Sequence, residues 1–576
     1  MLLALILLVA VIAIAVVTSL AQRLGVAGPL MLVALGLVVG LMPFVHLPEI
    51  PPSWILAGVL PPLLYSSAVN LPALEFRRDL RPIMGLSVLL VVMSSVLLGL
   101  FFWVAIPSVG LPLGIALGAI ISPTDAVATS IAKRLGIAPR VVTMLEGESL
   151  LNDATALVLL RTAIVAIAGS FSLWGAVGAF LWGILIAVVV GGVVGWLLVK
   201  LRGLVRNSAA STAIGFTVPF LAYLPAEELH GSGLVAAVVA GIVAGQGAPR
   251  LFTPEQRLSD RMTWHTVELV LEGAIFLLMG LELKDIVGAK LAHNEGLWTP
   301  IWVAAVALVI VVASRTAYVT VVVWIQGRHA DRMNRDAFEK LSRKIDKVAA
   351  GEIDLPQRRR APATPEEQRQ RVRGWQARVT RALNDIDYYQ STRLGWKHGA
   401  VIVWAGMRGA VTLAAAQTLT DAQTDGHRAL LVFVAFLVAV VSLMLQGFTL
   451  PWLVRRLHMD AGDATDDDEE HARLFTALWD AGQEALADPG LVDRAGNPFP
   501  AELLARMQRR VQVRTDDEEG SLLRTIGELR LVVIDAQRRQ LGALARGGEY
   551  SSAELRRALN ELDAEQLSLQ VRLGEE

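Results

Sequence analysis

Long apolar runs separated by short polar gaps are the feature that most restricts how this chain can fold. The hydrocarbon core of a bilayer is about 30 Å thick, and a helix needs roughly 20 apolar residues to cross it. Hydrophobic residues make up 54% of the 576 residues, and most are grouped in blocks of about this length. The sequence therefore predicts an all-α polytopic membrane protein.

Thirteen such runs can be counted. They lie at 2–20, 28–45, 54–73, 83–106, 111–132, 141–169, 173–199, 209–225, 231–248, 263–283, 299–325, 398–420 and 428–454. Gaps that contain Lys or Arg alternate with gaps that contain neither, until Lys284 and Lys290 interrupt the pattern. Because cytoplasmic loops carry the excess of Lys and Arg, the alternation predicts an N-terminus outside and a C-terminus in the cytoplasm, in the plasma or inner membrane. The first run lacks a preceding basic region and is interpreted as a retained span.

Charged residues crowd into two regions outside these spans, so residues 1–454 are predicted to form the transmembrane domain. Residues 327–397 separate spans eleven and twelve and form either a cytosolic helical hairpin or a charge-rich linker. Residues 455–576 begin with an acidic run and continue with apolar residues at helical spacing, which predicts a cytosolic helical tail, either regulatory or merely solubilising. The sequence has no cysteine and no glycine-rich nucleotide motif, so no cofactor and no nucleic-acid partner is expected.

The sixth span carries a polar face within GESLLNDATALVLL. Glu148, Ser149, Asn152 and Asp153 fall within an arc of roughly 140°, at about 100° per helical residue. A charge at bilayer depth costs at least about 2.5 to 3.5 kcal/mol, so an ionisable residue there indicates function. Asp153 lies near the middle of the span, where only a cavity can bring water.

Two spans are interrupted at corresponding places. In ISPTDAVATS of the fifth span, Pro123 frees backbone groups next to Asp125. In WAGMRGAVT of the twelfth span, two glycines flank Arg408. Broken helices at matching positions of two halves indicate a secondary-transporter site built from inverted repeats.

A carboxylate in a water-poor cavity can be neutralised by a proton or by a small cation, but not by both at once. This competition is the minimum that ion exchange requires, and Asp153 is the predicted carrier. Oxygens of Asn152, Ser149 and Thr124, with the freed backbone carbonyls, would complete a site for a monovalent Na+. Asp125 is either a second ligand or a charge partner of Arg408.

The remaining membrane-depth charges are interpreted as core charges. Glu148 is the expected ion-pair partner of Arg315, which lies at the middle of the eleventh span and has no other evident counter-ion. Arg408 would instead balance the half-helix ends around the break, or lie beside Asp125.

The stretches SPTDAVA, EGESLLNDATALV and WAGMRGAVTLAAA resemble the cation:proton antiporters of the Na+/H+ exchanger type, particularly the bacterial members. The resemblance extends over about residues 1–455. It implies a thirteen-helix fold in membrane lipid, a homodimer formed through a scaffold of spans 1–3 and 7–10, and elevator-like movement of a core of spans 4–6 and 11–13 with two crossed, broken helices.

The resemblance also implies residue roles. Asp153 would bind Na+ (or Li+) and H+ in turn, Asn152 would support it, and Glu148 would pair with an arginine, here Arg315. Because family members with Asn before the aspartate are usually electroneutral, one-for-one exchange that serves pH and sodium homeostasis is expected.

Three other functions compete with Na+/H+ exchange. A K+/H+ antiporter is the nearest, because ligand number and cavity size set that selectivity. A cation channel would also contain buried carboxylates but would not couple the cation to a proton. An intramembrane hydrolase using Ser149 is disfavoured, because GESLL is not a nucleophile elbow and no histidine lies at membrane depth, so the chain is not expected to be an enzyme.

Overall fold

The computed structural model describes residues 2–24, 26–42, 54–125, 127–167, 173–282, 298–332, 392–424 and 426–459, with isolated positions at 375–390 and 534–570. These residues form helices and contain no strand. Eight helical stretches are long and apolar enough to cross a membrane, judged by length and composition, and four shorter helices are also apolar. The all-α, multi-pass fold is confirmed, whereas the number of thirteen spans stays a prediction.

We number the described helices along the chain. They are α1 (Leu2–Leu24), α2 (Gly28–Gly40), α3 (Leu60–Asn70), α4 (Ala73–Arg78), α5 (Leu80–Met84), α6 (Leu90–Ala105), α7 (Leu111–Ile121), α8 (Val127–Arg134), α9 (Pro139–Ile167), α10 (Leu173–Leu204), α11 (Ser208–Glu228), α12 (Gly233–Leu251), α13 (Pro254–Leu281), α14 (Trp298–Arg332), α15 (Trp396–Trp404), α16 (Ala410–Gln417), α17 (Asp421–Thr424) and α18 (Arg428–Arg456). Two π-helical turns, Ile55–Val59 and Gly85–Leu89, lead into α3 and α6.

Several helices are longer than the apolar runs that predicted them, α13 and α14 by the most. α13 begins at Pro254 instead of 263, because the side chains of Thr253 and Gln256 form a reciprocal capping box with the backbone there. α14 continues to Arg332, past the predicted start of the insertion at 327. Its last turns are polar, so apolar length alone underestimates the helix.

The helices pack in two groups. α1–α3 and α10–α13 contact mainly one another, and α5–α9 pack mainly with one another and with α14–α16 and α18. In the first group, a Cβ at Gly40 would lie 2.7 Å from the carbonyl oxygen of Leu281, so α2 and α13 meet backbone to backbone. The division into a scaffold and a moving core stays a prediction.

The structure extends past the predicted boundary between the transmembrane domain and the tail. α18 continues to Arg456, past the predicted start of the tail at 455, and the chain divides into two compact units, Met1–Gly462 and Asp463–Glu576. Most of the predicted insertion and tail lies outside the described residues, so the hairpin, the linker and the regulatory tail remain predictions.

Candidate ion-binding site

Asp153 lies inside α9, and 7% of its surface is exposed. Within the part of the chain that the structure describes, no group donates a hydrogen bond to its carboxylate. A buried carboxylate must be neutralised or paired, because transfer of an isolated charge out of water is costly. Asp153 is therefore placed to take its neutralising charge from solution.

A cavity of about 100 Å³ lies beside Asp153. This is enough room for a cation that keeps part of its water, since one water needs only about 10 to 15 Å³ of such volume. The polar residues of the cavity wall are Ser67, Thr124, Asp125, Ser149, Asp153, Glu268, Glu272 and Thr412. The wall draws on α3 and α13 from one packing group and on α9, α16 and the break after α7 from the other.

The two broken helices cross at this cavity. α7 ends at Ile121 and α8 begins at Val127, while α15 ends at Trp404 and α16 begins at Ala410. The breaks contact each other directly, because the backbone N–H of Asp125 donates to the carbonyl oxygen of Met407 at 2.8 Å. The freed backbone groups thus meet protein, as they must at membrane depth.

Asp125 lies against the N-terminus of α16. A Cβ at Gly409 would be 2.6 Å from the Cβ of Asp125, so the carboxylate can approach the backbone there only because residue 409 is glycine. A helix N-terminus carries a partial positive charge that favours a nearby carboxylate. The charge of Asp125 is thus compensated in part by the fold.

Arg408 faces the opposite end of the partner half-helix. Its Nε donates to the carbonyl of Ile121 at 3.1 Å and its Nη2 to the carbonyl of Ser122 at 3.2 Å, and Nη1 contacts the carbonyl of Gly406. The side chain is 2% exposed. Arg408 therefore satisfies the free carbonyls at the C-terminus of α7, where the helix dipole favours a cation.

Glu148 and Arg315 form a buried two-point ion pair between α9 and α14. Nη2 of Arg315 donates to Oε2 of Glu148 at 2.8 Å, Nη1 contacts Oε1, and each side chain is 2% exposed. Nε of Arg315 donates to the carbonyl of Ile402 at 3.0 Å. A Cβ at Gly406 would lie 2.7 Å from Cδ of Arg315, so this glycine leaves room for the arginine to reach Glu148.

Thr124 and Asn152 belong to this ion pair as much as to the cavity. Nδ2 of Asn152 donates to the hydroxyl of Thr124 at 2.7 Å, and that hydroxyl donates to Oε1 of Glu148 at 3.1 Å. The chain of hydrogen bonds fixes the Thr124 side chain at the cavity wall. Asn152 thus acts on the cavity through Thr124.

Of the predicted cation-binding residues, four line the cavity and one does not. Asp153, Asp125, Thr124 and Ser149 are on the wall, whereas Asn152 is 1% exposed and lies behind it. The sequence groups Asn152 with the polar face, but its amide is engaged by Thr124. The roles of all five residues as ligands stay predictions.

Two carboxylates of the wall were missed by the sequence analysis. Glu268 and Glu272 lie one turn apart on α13, which places them on one face of the helix. Glu268 accepts a hydrogen bond from the hydroxyl of Ser66 at 3.5 Å. Both lie inside the predicted span 263–283, so the rule that flags membrane-depth charges would have found them.

The wall offers oxygen ligands almost exclusively. Carboxylate and hydroxyl oxygens suit hard cations such as alkali ions, while soft metals prefer sulfur and imidazole. The arrangement can therefore bind a small alkali cation or a proton.

Comparisons with known proteins agree on one family. The family described as sodium/hydrogen exchanger, transmembrane, matches residues 7–349 and 375–456, and the unmatched stretch falls within the predicted insertion. An uncharacterised Na+/H+ exchanger of Mycobacterium tuberculosis strain H37Rv is 28% identical over 583 residues, which cover 98% of this chain and 96% of the relative. A sodium, potassium, lithium and rubidium/H+ antiporter of Bacillus subtilis is 31% identical over 268 residues, 45% of this chain and 40% of the relative.

A solved structure shares the fold. The sodium proton antiporter MjNhaP1 from Methanocaldococcus jannaschii superposes with a TM-score of 0.54 and 16% identity, covering 78% of this chain and 97% of that one. Since the family match spans far more than half of the sequence, the chain belongs to the sodium/hydrogen exchanger family of transmembrane antiporters.

Proposed function

We propose that this Na+/H+ antiporter carries Na+ and H+ in turn on the carboxylate of Asp153. The observation that supports this most directly is the buried Asp153 side chain, which faces the cavity of about 100 Å³ without a hydrogen-bond donor among the described residues. Thr124 and Ser149 supply hydroxyl oxygens beside it, and Asp125 supplies a further carboxylate.

Coupling follows from competition for one group. A Na+ and a proton each neutralise Asp153, and only a neutralised site crosses the low-dielectric part of the protein easily. Each ion therefore has to leave before the other is carried back. Because Asp125 is held at the N-terminus of α16, we assign the exchanged charge to Asp153 alone, which gives one-for-one, electroneutral exchange.

The position of the cavity supports alternating access by movement between the two packing groups. α3 and α13 line one side and α9 and α16 the other, so sliding of one group past the other would expose the same site to opposite sides. In this proposal the chain works as a homodimer in the plasma or inner membrane, with its N-terminus outside and a role in pH and sodium homeostasis.

Na+ is the proposed cation, and K+ remains the second candidate. The relative from Bacillus subtilis is named for exchange of sodium, potassium, lithium and rubidium, so a related site handles several alkali ions. Family membership favours antiport over a cation channel.

The experiment uses the purified chain in liposomes with a trapped pH dye and a pre-acidified lumen, challenged with Na+, Li+ and K+ in turn. Asp153→Asn should abolish cation-driven alkalinisation, whereas Asp421→Asn, an exposed aspartate on α17, should not change it. Exchange that persists in Asp153→Asn removes Asp153 from the mechanism. One-for-one exchange moves no net charge, so its rate should not depend on an imposed membrane potential. A rate that changes with the potential would refute it.

A further inference from the structure

A second buried ion pair lies far along α9 from the ion site, at the helix start. Nε and Nη2 of Arg140 donate to Oδ2 and Oδ1 of Asp79 at 2.9 and 2.7 Å. The arginine side chain is 3% exposed and the aspartate side chain is fully buried. Both residues lie in gaps between the predicted spans, Asp79 in 74–82 and Arg140 in 133–140, where charges are ordinary.

The end of the insertion completes this pair. The hydroxyl of Tyr388 donates to Oδ2 of Asp79 at 2.9 Å, and Nη1 of Arg140 donates to the carbonyl of Thr392 at 2.7 Å. Nε of Arg78 donates to Oδ1 of Asp385 at 2.6 Å. Burial, and then the neighbouring Asp79 carboxylate, raise the pKa of Tyr388, so its phenol stays protonated and remains a donor.

The two ends of the insertion meet at Arg140. Gln326, on the last part of α14, accepts a hydrogen bond from Nη2 of Arg140 at 3.5 Å, and Thr392 contacts the same guanidinium from the far end of the insertion. The network thus joins the start of α5, the start of α9, the end of α14 and the segment that precedes α15. We call Asp79, Arg140, Gln326, Tyr388 and Thr392 the basal ring.

The burial of the Asp79–Arg140 pair at the centre of the ring indicates that this pair does not open during transport. Leaving one partner of a buried ion pair uncompensated is expensive, and repeating that cost in every cycle would slow exchange by a factor of at least about a hundred. Elements joined by the ring should therefore keep their relative positions while the site changes its access.

We propose that the end of the insertion is a working part of the ion-carrying group: Tyr388, acting through Asp79 and Arg140, is a positioning residue that fixes α9 and so the place of Asp153. The inference rests on the proposed function, because it assumes that one packing group moves against the other. Tyr388 does not contact the transported ion. It affects ion binding because Arg140 and Asp153 belong to the same helix, α9.

A cross-linking experiment tests the role of the insertion separately from the relative movement of the two packing groups. The sequence has no native cysteine, so a thiol reagent reacts only with the introduced pair. Arg78→Cys/Asp385→Cys joins the insertion to the residue that precedes Asp79 of the basal ring, using a short bifunctional thiol reagent. Leu30→Cys/Gly447→Cys joins α2 to α18 across the groups, where a Cβ at Gly447 would lie 3.4 Å from Cγ of Leu30. Exchange in liposomes is compared before and after cross-linking of each double variant.

Exchange should continue at an unchanged rate after the 78–385 link and stop after the 30–447 link. Arrest by the 78–385 link would overturn the inference, because the ring would then have to open in each cycle. Exchange that continues through the 30–447 link would refute relative movement of the groups, which is a failure of the proposed function and not of the ring.

A point variant tests the positioning role itself. Tyr388→Phe removes the hydroxyl and keeps the aromatic side chain. Tyr223→Phe, on α11 of the other packing group, is the matched control. Tyr388→Phe should raise the Na+ KM by roughly threefold to tenfold, below the hundredfold that a 1 Å misplacement can cost, while kcat per folded molecule changes little. A merely structural hydroxyl would lower the yield of folded protein and leave KM unchanged, and that result would contradict the proposal.

Discussion

Removal of one partner from the Glu148–Arg315 pair is the sharpest test of how the core is held together. In Glu148→Gln the guanidinium of Arg315 stays buried, with only the carbonyl of Ile402 and a neutral amide as partners. In Arg315→Met the carboxylate of Glu148 keeps one donor, the hydroxyl of Thr124. Each variant leaves an uncompensated charge between α9 and α14.

The expected magnitude follows from that burial. Breaking a fully buried pair by removing one partner costs about 3 to 5 kcal/mol, whereas replacing both partners by neutral groups of similar volume is often nearly neutral. We therefore expect each single variant to lose about 3 to 5 kcal/mol and the double variant Glu148→Gln/Arg315→Met to be more stable than either. The interaction energy of the cycle should favour the pair by several kcal/mol.

The assay is chemical unfolding in mixed micelles, followed by the fluorescence of the 14 tryptophans. The Arg161–Glu227 pair is the matched control, because its partners are 2.9 Å apart but 59% and 26% exposed. Its cycle should give no more than about 1 kcal/mol, as exposed pairs do. Additive losses in the Glu148–Arg315 cycle, or a coupling as small as that of the control, would refute the reasoning.

Three further substitutions test the site. Gly406→Ala should lower the free energy of unfolding by about 1 to 3 kcal/mol, because the added Cβ would press on Arg315, as chemical unfolding would show. Arg408→Gln should slow exchange in liposomes and lower the free energy of unfolding by roughly 1.5 to 3 kcal/mol, since it removes charged hydrogen bonds to the carbonyls at the end of α7. A melting curve unchanged from wild type would contradict this. Glu272→Gln should raise the Na+ KM several-fold with little change in kcat, because it replaces a carboxyl group of the cavity wall, whose oxygens suit a hard cation, by an amide, and an unchanged KM would show that Glu272 has no such effect.

The helix breaks were predictable because their causes are local. Pro123 has no backbone N–H and so removes a hydrogen bond from the helix. The glycines around Arg408 weaken the other helix within a few residues. The polar face of α9 was predictable for the same reason, since helical geometry alone places Glu148, Ser149, Asn152 and Asp153 within one arc of roughly 140°. The sequence pattern could therefore identify which polar groups lie at membrane depth.

The pairing of those groups depends on contacts between distant helices, and there the sequence was less informative. It grouped Asn152 with Asp153, whereas the amide binds Thr124 on another helix. Arg140 lies in a gap between two predicted spans, yet the structure buries it in an ion pair with Asp79. The same limit applies to Arg408, whose partners are backbone carbonyls that no side-chain pattern reveals.

The distribution of compensated charge explains why Asp153 differs from its neighbours. Glu148 has Arg315, Arg408 has the carbonyls that end α7, and Asp125 has the partial charge at the N-terminus of α16, so each of these charges is compensated, fully or in part, within its own packing group. Glu272 belongs to α13, in the other packing group, so it would stay behind if the groups slide. Asp153 alone among these five combines burial in the ion-carrying group with a carboxylate that no described group neutralises. In the proposed mechanism, a site with a single unbalanced charge crosses only with one monovalent cation or one proton, which is the reason for proposing one-for-one exchange.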